Sequence, residues 1–453
     1  MQRRRFAKLT LLGACGALVS AGCRRGKSLG GAVTDAPKPL RRRRVEVTYW
    51  EKWTDFEGEA MRKVVEAFNA QRRDIQVKLL TTSQIDRKML MATAGGIPPD
   101  VAGLWSQNLA SYADKNALLP LDDYLSQARV GREDYIPCYW DMLKHRGHIW
   151  ALPTTPASVA LHWNKRLFRE ARLDPDRPPE TMEELDDCAQ RLTKRDRDGK
   201  IVQMGFMPAE PGWWNWAWGC FFGGRLWDGK SKITCASAEN VRAFDWVQSY
   251  AKQYGAKQLQ VFRSGFGNFS SPQNAFLAEQ VAMELQGVWM HNFIAMYARH
   301  LQWGAAPFPH PADRPDLAKT TIVEEDVVCI PNGARHPREA FEFMKFVNSQ
   351  RGMELLCLGQ RKHTPLRKVS AQFLAQHPNP YIEVFIDLAF SPNAMTTPDL
   401  SLWSEYADEL SNAFDEVWLC RQSAAEALGK VQERMQPKLD LELRRWERLG
   451  WKR

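Results

Sequence analysis

The sequence predicts an α/β protein in which a mostly parallel sheet is wrapped by helices. Three observations carry this. Short β-rich runs alternate with amphipathic helices from residue 45 onward, the signature of layered α/β folds. About 410 residues follow a basic leader, enough for two domains of ordinary size. No stretch after the leader reaches the ~20 apolar residues of a spanning helix.

The leader reads in three parts: a basic head (Arg3, Arg4, Arg5, Lys8), an apolar middle from Leu9 to Val19, and the small residues Ser20, Ala21 and Gly22 before Cys23. This is a secretory signal spanning residues 1–23. Its "RRRFAK" resembles the twin-arginine export signal, with Gln2 where Ser or Thr is usual. Small residues before a cysteine resemble a lipoprotein cleavage box, which would make Cys23 the lipidated first residue; the alternative is ordinary cleavage beside an incidental cysteine. Lipid chains at ~0.8 kcal/mol per buried methylene hold a protein at a membrane without a helix. Residues 24–44 are a basic, Gly- and Pro-containing linker.

"VEVTYW" (45–50) alternates as a strand, and Met61, Val64, Val65 and Phe68 place one apolar stripe on a helix over 57–73. A strand over 75–82, a helix over 85–94 and a strand over 100–105 continue the pattern. Thr181 followed by Glu184 makes a capping box for the next helix, and "DRDGK" (196–200) makes a tight turn. Helices are predicted over 337–348 and from Trp403 to the C-terminus.

The formal charge of +9 is confined to the leader and linker. Residues 1–44 hold twelve of the 62 lysines and arginines and one of the 53 acids, leaving 50 bases against 52 acids, a net of −2. A near-neutral globular part removes the footing of a nucleic-acid-binding reading. Seven cysteines follow Cys23, an odd number, with Cys220 and Cys235 the first pair to check for a disulfide.

Phosphate-loop, nucleophile-elbow and His-Glu-x-x-His signatures are absent, so no catalytic residue, metal or cofactor is assigned. His145 and His148 flank an Arg-Gly pair, which favours a solvated hairpin over a metal site. Tryptophan stands out instead. There are eighteen, and "WWNWAW" (213–218) holds four in six residues, too dense to be buried in one core throughout. Flat rings suit the C–H faces of sugars while polar neighbours take hydroxyls. Trp140, Trp246, Trp418 and Trp446 lie on amphipathic helices and read as core.

The order of motifs is similar to that of the extracellular solute-binding proteins of ABC importers, the large sugar-binding group called family 1. "VTYWEKWT" (47–54), "ATAGGIPPDV" (92–101), "LLPLDDYL" (118–125), "GHIWALPTT" (147–155), "FLAEQVAMELQGVW" (276–289), "PREAFEFMKFV" (337–347) and "TPLR" (364–367) carry the resemblance, which spans nearly all of residues 45–453. It implies a two-lobed periplasmic binding protein fold of type II, with the ligand cleft between lobes joined by crossover hinges. Lobe 1 would hold 45–155 and 318–360, lobe 2 156–317 and 361–453. Ligands of open α/β sheets sit at strand ends, so the expected cleft residues are Trp50, Trp53, Trp105 and Ser106 from lobe 1 and Trp213, Trp214 and Trp216 from lobe 2. Gly287 and Trp289 match the family's Gly-x-Trp, and Arg367 its Pro-x-Arg, where a hinge salt bridge is the competing role.

One departure concerns the ligand. Where relatives carry a Gly-Gly pair, this chain has Glu324, Glu325 and Asp326. Carboxylates there would accept hydrogen bonds from hydroxyls or pair with a cation, or else only line the lobe surface; Glu325 is assigned to the site. The expectation is a monomeric extracytoplasmic lipoprotein that captures a carbohydrate or polyol and delivers it to an ABC permease. An exported enzyme acting on glycans and a solute receptor without transport are the alternatives.

Overall fold

The computed structural model describes residues 44–268 and 270–448; the signal, Cys23 and the linker lie outside them. Strand Val45–Glu51 pairs in parallel with Ile75–Thr81 on one side and Val101–Trp105 on the other, as strands separated by helices Asp55–Gln71 and Ile85–Ala94 must. Beyond Val101–Trp105 the sheet continues antiparallel through Thr321–Cys329, Leu152–Asn164 and Val281–Gly287. It then runs parallel to Ile201–Phe206.

The two largest hydrophobic cores among the described residues pack on opposite halves of this sheet. The first gathers Val47, Tyr49, Phe68, Leu104 and Leu152 with Val327, Phe343 and Leu356. The second gathers Leu161, Phe206, Trp218 and Phe244 with the C-terminal helices Trp403–Trp418 and Ala424–Arg448. Leu366 and Phe373, which the sequence reading placed in lobe 2, pack in the first core.

Strands Leu152–Asn164 and Thr321–Cys329 run from one core to the other, and they pair with each other with a register shift between Glu325 and Val327. The shift is a β-bulge, which bends a strand and increases its twist. Leu152–Asn164 is buried along all 13 residues, as a strand covered on both faces must be.

The capping box is present in half: the Thr181 hydroxyl accepts from the Glu184 amide, while the Glu184 carboxylate accepts from the Glu180 amide, not from that of Thr181. All seven cysteines of the described residues are free thiols, so Cys220 and Cys235 form no disulfide. No helix among the described residues is long and apolar enough to cross a membrane.

Candidate functional site

Between the two cores lies a cleft of about 940 Å³. The C-terminal ends of the parallel strands build one wall: Lys52 and Trp53 follow the first strand, and Trp105 ends another, with Ser106 opening the turn after it. Gly103 makes room beneath this wall, because a Cβ there would collide with the Glu51 carboxylate. That carboxylate accepts from the Tyr49 hydroxyl and from the Lys52 amide.

Aromatic rings form the opposite wall. Trp213 and Trp214 enter from the segment leading into a 3-10 helix over Asn215–Phe222, and Trp216 from its first turn. Trp289 stands at 5.6 Å from the Trp213 ring and 6.0 Å from the Trp214 ring, and Trp403 stands edge-on to Trp216 at 4.9 Å. The dense run divides: Trp214, Trp216 and Trp218 are buried in the second core, whereas Trp213 is 37% exposed. Trp214 and Trp216 thus belong to the core and to the cleft lining at once.

The crossing strands supply the floor, with Thr155 and Ala157 on one and Glu324, Glu325 and Asp326 on the other. Asp326 accepts from the Thr155 hydroxyl (3.3 Å) and pairs with Lys52 Nζ (3.0 Å) and Lys362 Nζ (3.8 Å). Lys362 also reaches Glu57 at 2.9 Å. Lys52 Nζ lies 4.6 Å from the Trp53 ring centroid and 5.0 Å from that of Trp105, a two-ring cation–π arrangement. Burial opposes the charge on both lysines, but Asp326 and Glu51 outweigh it at Lys52 and Glu57 and Asp326 at Lys362, so both pKa values rise.

Glu324 and Glu325 behave differently. Burial pushes the Glu324 carboxyl up to about 7, against the pull of the Trp214 indole N–H at 3.3 Å and with the help of Asp326. Burial, and after it Asp326, pushes Glu325 well above the carboxylate range. Glu325 is 3% exposed, and neither of its oxygens has a hydrogen-bond partner.

Eight of the expected residues line the cleft: Trp53, Trp105, Ser106, Trp213, Trp214, Trp216, Trp289 and Glu325. Three do not. Trp50 projects to the sheet face opposite Tyr49 and Glu51, by the two-residue period of a strand, and packs on the first core. Gly287 supports the site from behind, since a Cβ there would collide with the Trp289 ring. Arg367 is exposed, and its Nε donates to the Tyr135 carbonyl at 3.4 Å.

Sequence reasoning missed Lys52, Glu57, Lys362 and Trp403. Lys52 sits between two tryptophans in "WEKW" and was open to notice, whereas Lys362 reaches the cleft only through tertiary folding. The histidine hairpin is half solvated: His148 is exposed, but His145 is 1% exposed and bridges Asp114 and Asp399 at 2.7 Å each. Trp140, Trp418 and Trp446 are core, and Trp246 is half-buried against it.

Residues 54–354 match the family described as bacterial extracellular solute-binding protein. The maltotriose-binding protein of Pyrococcus abyssi is 19% identical over 266 residues, 58% of this chain and 53% of that protein. The chain therefore spans about half the length of this relative. The sn-glycerol-3-phosphate-binding periplasmic protein UgpB of Pectobacterium atrosepticum is 21% identical over 67% of this chain and 69% of its own. Among solved structures, mannobiose-bound CpMnBP1 superposes with a TM-score of 0.76 at 27% identity, covering 86% of this chain and 99% of that one. Lmo0181 from Listeria monocytogenes, in complex with cycloalternan, shares the fold at a TM-score of 0.73 and 19% identity, over 88% and 100% of the two chains.

Proposed function

The chain belongs to the bacterial extracellular solute-binding proteins, and from that premise we propose that it captures a carbohydrate in the interlobe cleft and hands it to an ABC importer permease. The carrying observation is the cleft itself: tryptophan rings on both walls and hydrogen-bonding groups on the floor. Trp53 and Trp105 line the same cleft as the rings of Trp213, Trp214 and Trp289. A pyranose sandwiched there presents C–H faces to the rings and hydroxyls to Thr155, Ser106 and the floor carboxylates. The mannobiose bound to CpMnBP1 supports the same class of ligand.

The mechanism is capture by closure. Contacts to both walls are complete only when the lobes approach, so a ligand stabilises the closed form in proportion to its preference for it. Periplasmic binding proteins close about their hinges in this way around a ligand. A permease that reads the closed surface then receives loaded protein. Export through the 1–23 signal and a lipid anchor on Cys23 complete the reading: the protein works outside the cytoplasm, as a monomer tethered near its permease, without catalysis.

Intrinsic tryptophan fluorescence and thermal melting against a panel of sugars and polyols test it. Ligand at 100 times its dissociation constant adds about 2.7 kcal/mol of stability. A saturable response to one saccharide with no product formed is the expected result; silence across the panel rejects the carbohydrate reading.

A further inference from the structure

Charge in the cleft is unevenly distributed. Six acids line it (Asp55, Glu57, Glu324, Glu325, Asp326 and Asp408) against two bases, Lys52 and Lys362; burial holds the Glu325 carboxyl well above the carboxylate range, so five of the six bear on the balance. Both bases are already committed, Lys52 to Asp326 and Glu51, Lys362 to Glu57 and Asp326. An incoming phosphate or carboxylate therefore meets no free cation among the lining residues. Apolar walls concentrate the field of the excess acids within the cleft.

Glu324 is where that excess faces the rings. Among the described residues no basic nitrogen forms an ion pair with it; its Oε1 accepts from the Trp214 indole, and Trp289 stacks on that ring at 30°. Indole faces attract cations as well as C–H groups, and a carboxylate beside them adds full charge to that preference. A neutral hydroxyl satisfies a carboxylate's lone pairs but leaves its charge in a cleft with no spare base; an ammonium satisfies both.

We propose that the solute is an amine-bearing saccharide whose ammonium group seats against Glu324 beside the Trp214 and Trp289 rings, with phosphorylated sugars excluded. The assignment rests on the carbohydrate reading above and narrows it. Glu324 is the specificity-determining residue, and its carboxyl being held near neutrality makes binding depend on pH: the amine gains affinity as the carboxyl ionises. Asp326 on the same strand, Lys52, Lys362 and, on helix Trp403–Trp418, Asp408 are the other charged groups facing this part of the cleft.

Calorimetric titration of the full chain tests this with matched sets: glucose, glucosamine, N-acetylglucosamine and glucose 6-phosphate, the corresponding galactose and mannose sets, and cellobiose against its diamino counterpart. One amine is expected to bind at least tenfold tighter than its neutral partner, more tightly at pH 7 than at pH 5, a range over which the sugar amine stays protonated, with no binding of the phosphates. Glu324→Gln lowers the amine's affinity to that of the neutral sugar, its melting temperature reporting that the fold is kept. Should that variant not fold, the pH series on the unaltered chain decides. A neutral sugar bound as tightly as its amine, or an amine affinity flat between pH 5 and 7, overturns the assignment and leaves the carbohydrate reading standing. No binding of any saccharide overturns both.

Discussion

The ammonium of Lys52 lies 3.0 Å from Asp326 and 3.3 Å from Glu51, so one buried cation ties the end of the first strand to the floor of the cleft. Lys52→Met leaves Glu51 without a cation and Asp326 with only the longer contact to Lys362. Removing one partner of a buried pair costs ~3–5 kcal/mol. Urea unfolding of the variant is expected to show a loss of that order; an unchanged midpoint would show that the Lys52 ion pairs add nothing to stability.

Tryptophans that serve the cleft alone separate from those shared with the core. Trp105 is 40% exposed and Trp214 4%. Trp105→Ala is expected to weaken the bound saccharide about tenfold, roughly 1.4 kcal/mol, with little change in melting. Trp214→Ala costs ~3–5 kcal/mol of stability as well. Calorimetry and melting on the two variants check the split.

His145 predicts a loss of stability in alkali. Burial lowers its pKa, but hydrogen bonds to Asp114 and Asp399 outweigh that and raise it to about 9, with Arg146 packed beside it. A histidine whose folded pKa exceeds its unfolded value of ~6.5 contributes fully below that value and loses its contribution as pH rises through about 9. Thermal melting from pH 6 to 10 should show this decline, and His145→Gln should be less stable at pH 6 and flatter above pH 7.

Glu284 predicts the reverse kind of variant, one that stabilises. It sits on Val281–Gly287 opposite His162 and is 1% exposed. Burial, and after it Glu210, holds its carboxyl well above the usual range. Folding therefore requires the protonated form, and this costs stability progressively as pH rises above the unfolded value of ~4.3. Glu284→Gln is expected to melt higher than the parent by a few degrees at pH 8, about 1 kcal/mol, and by less at pH 5.

The units from Val45 to Trp105 were legible because periodicity and burial agree there: the apolar stripe of Asp55–Gln71 is the face that packs. The strand Thr321–Cys329 was not, since "TIVEEDVVC" carries three consecutive acids where a core strand normally has none. Its place follows from partners far away in sequence, Lys52 and Lys362 for Asp326 and Trp214 for Glu324. The aromatic half of the cleft could be read because tryptophan clusters are conspicuous and strand ends are predictable. Trp50 defeated the same rule by a single residue, the distance that sends a side chain to the other face.

The register shift between Glu325 and Val327 has a mechanical consequence. Two of the connections between the cores are a single paired ribbon, so rotating one core against the other applies torque to that ribbon instead of swinging two independent tethers. Compliance concentrates where the ladder is interrupted, and there the chain carries Glu325 and Asp326. The acids of the floor thus stand opposite the bulge of the partner strand, at the place where the ribbon bends most readily.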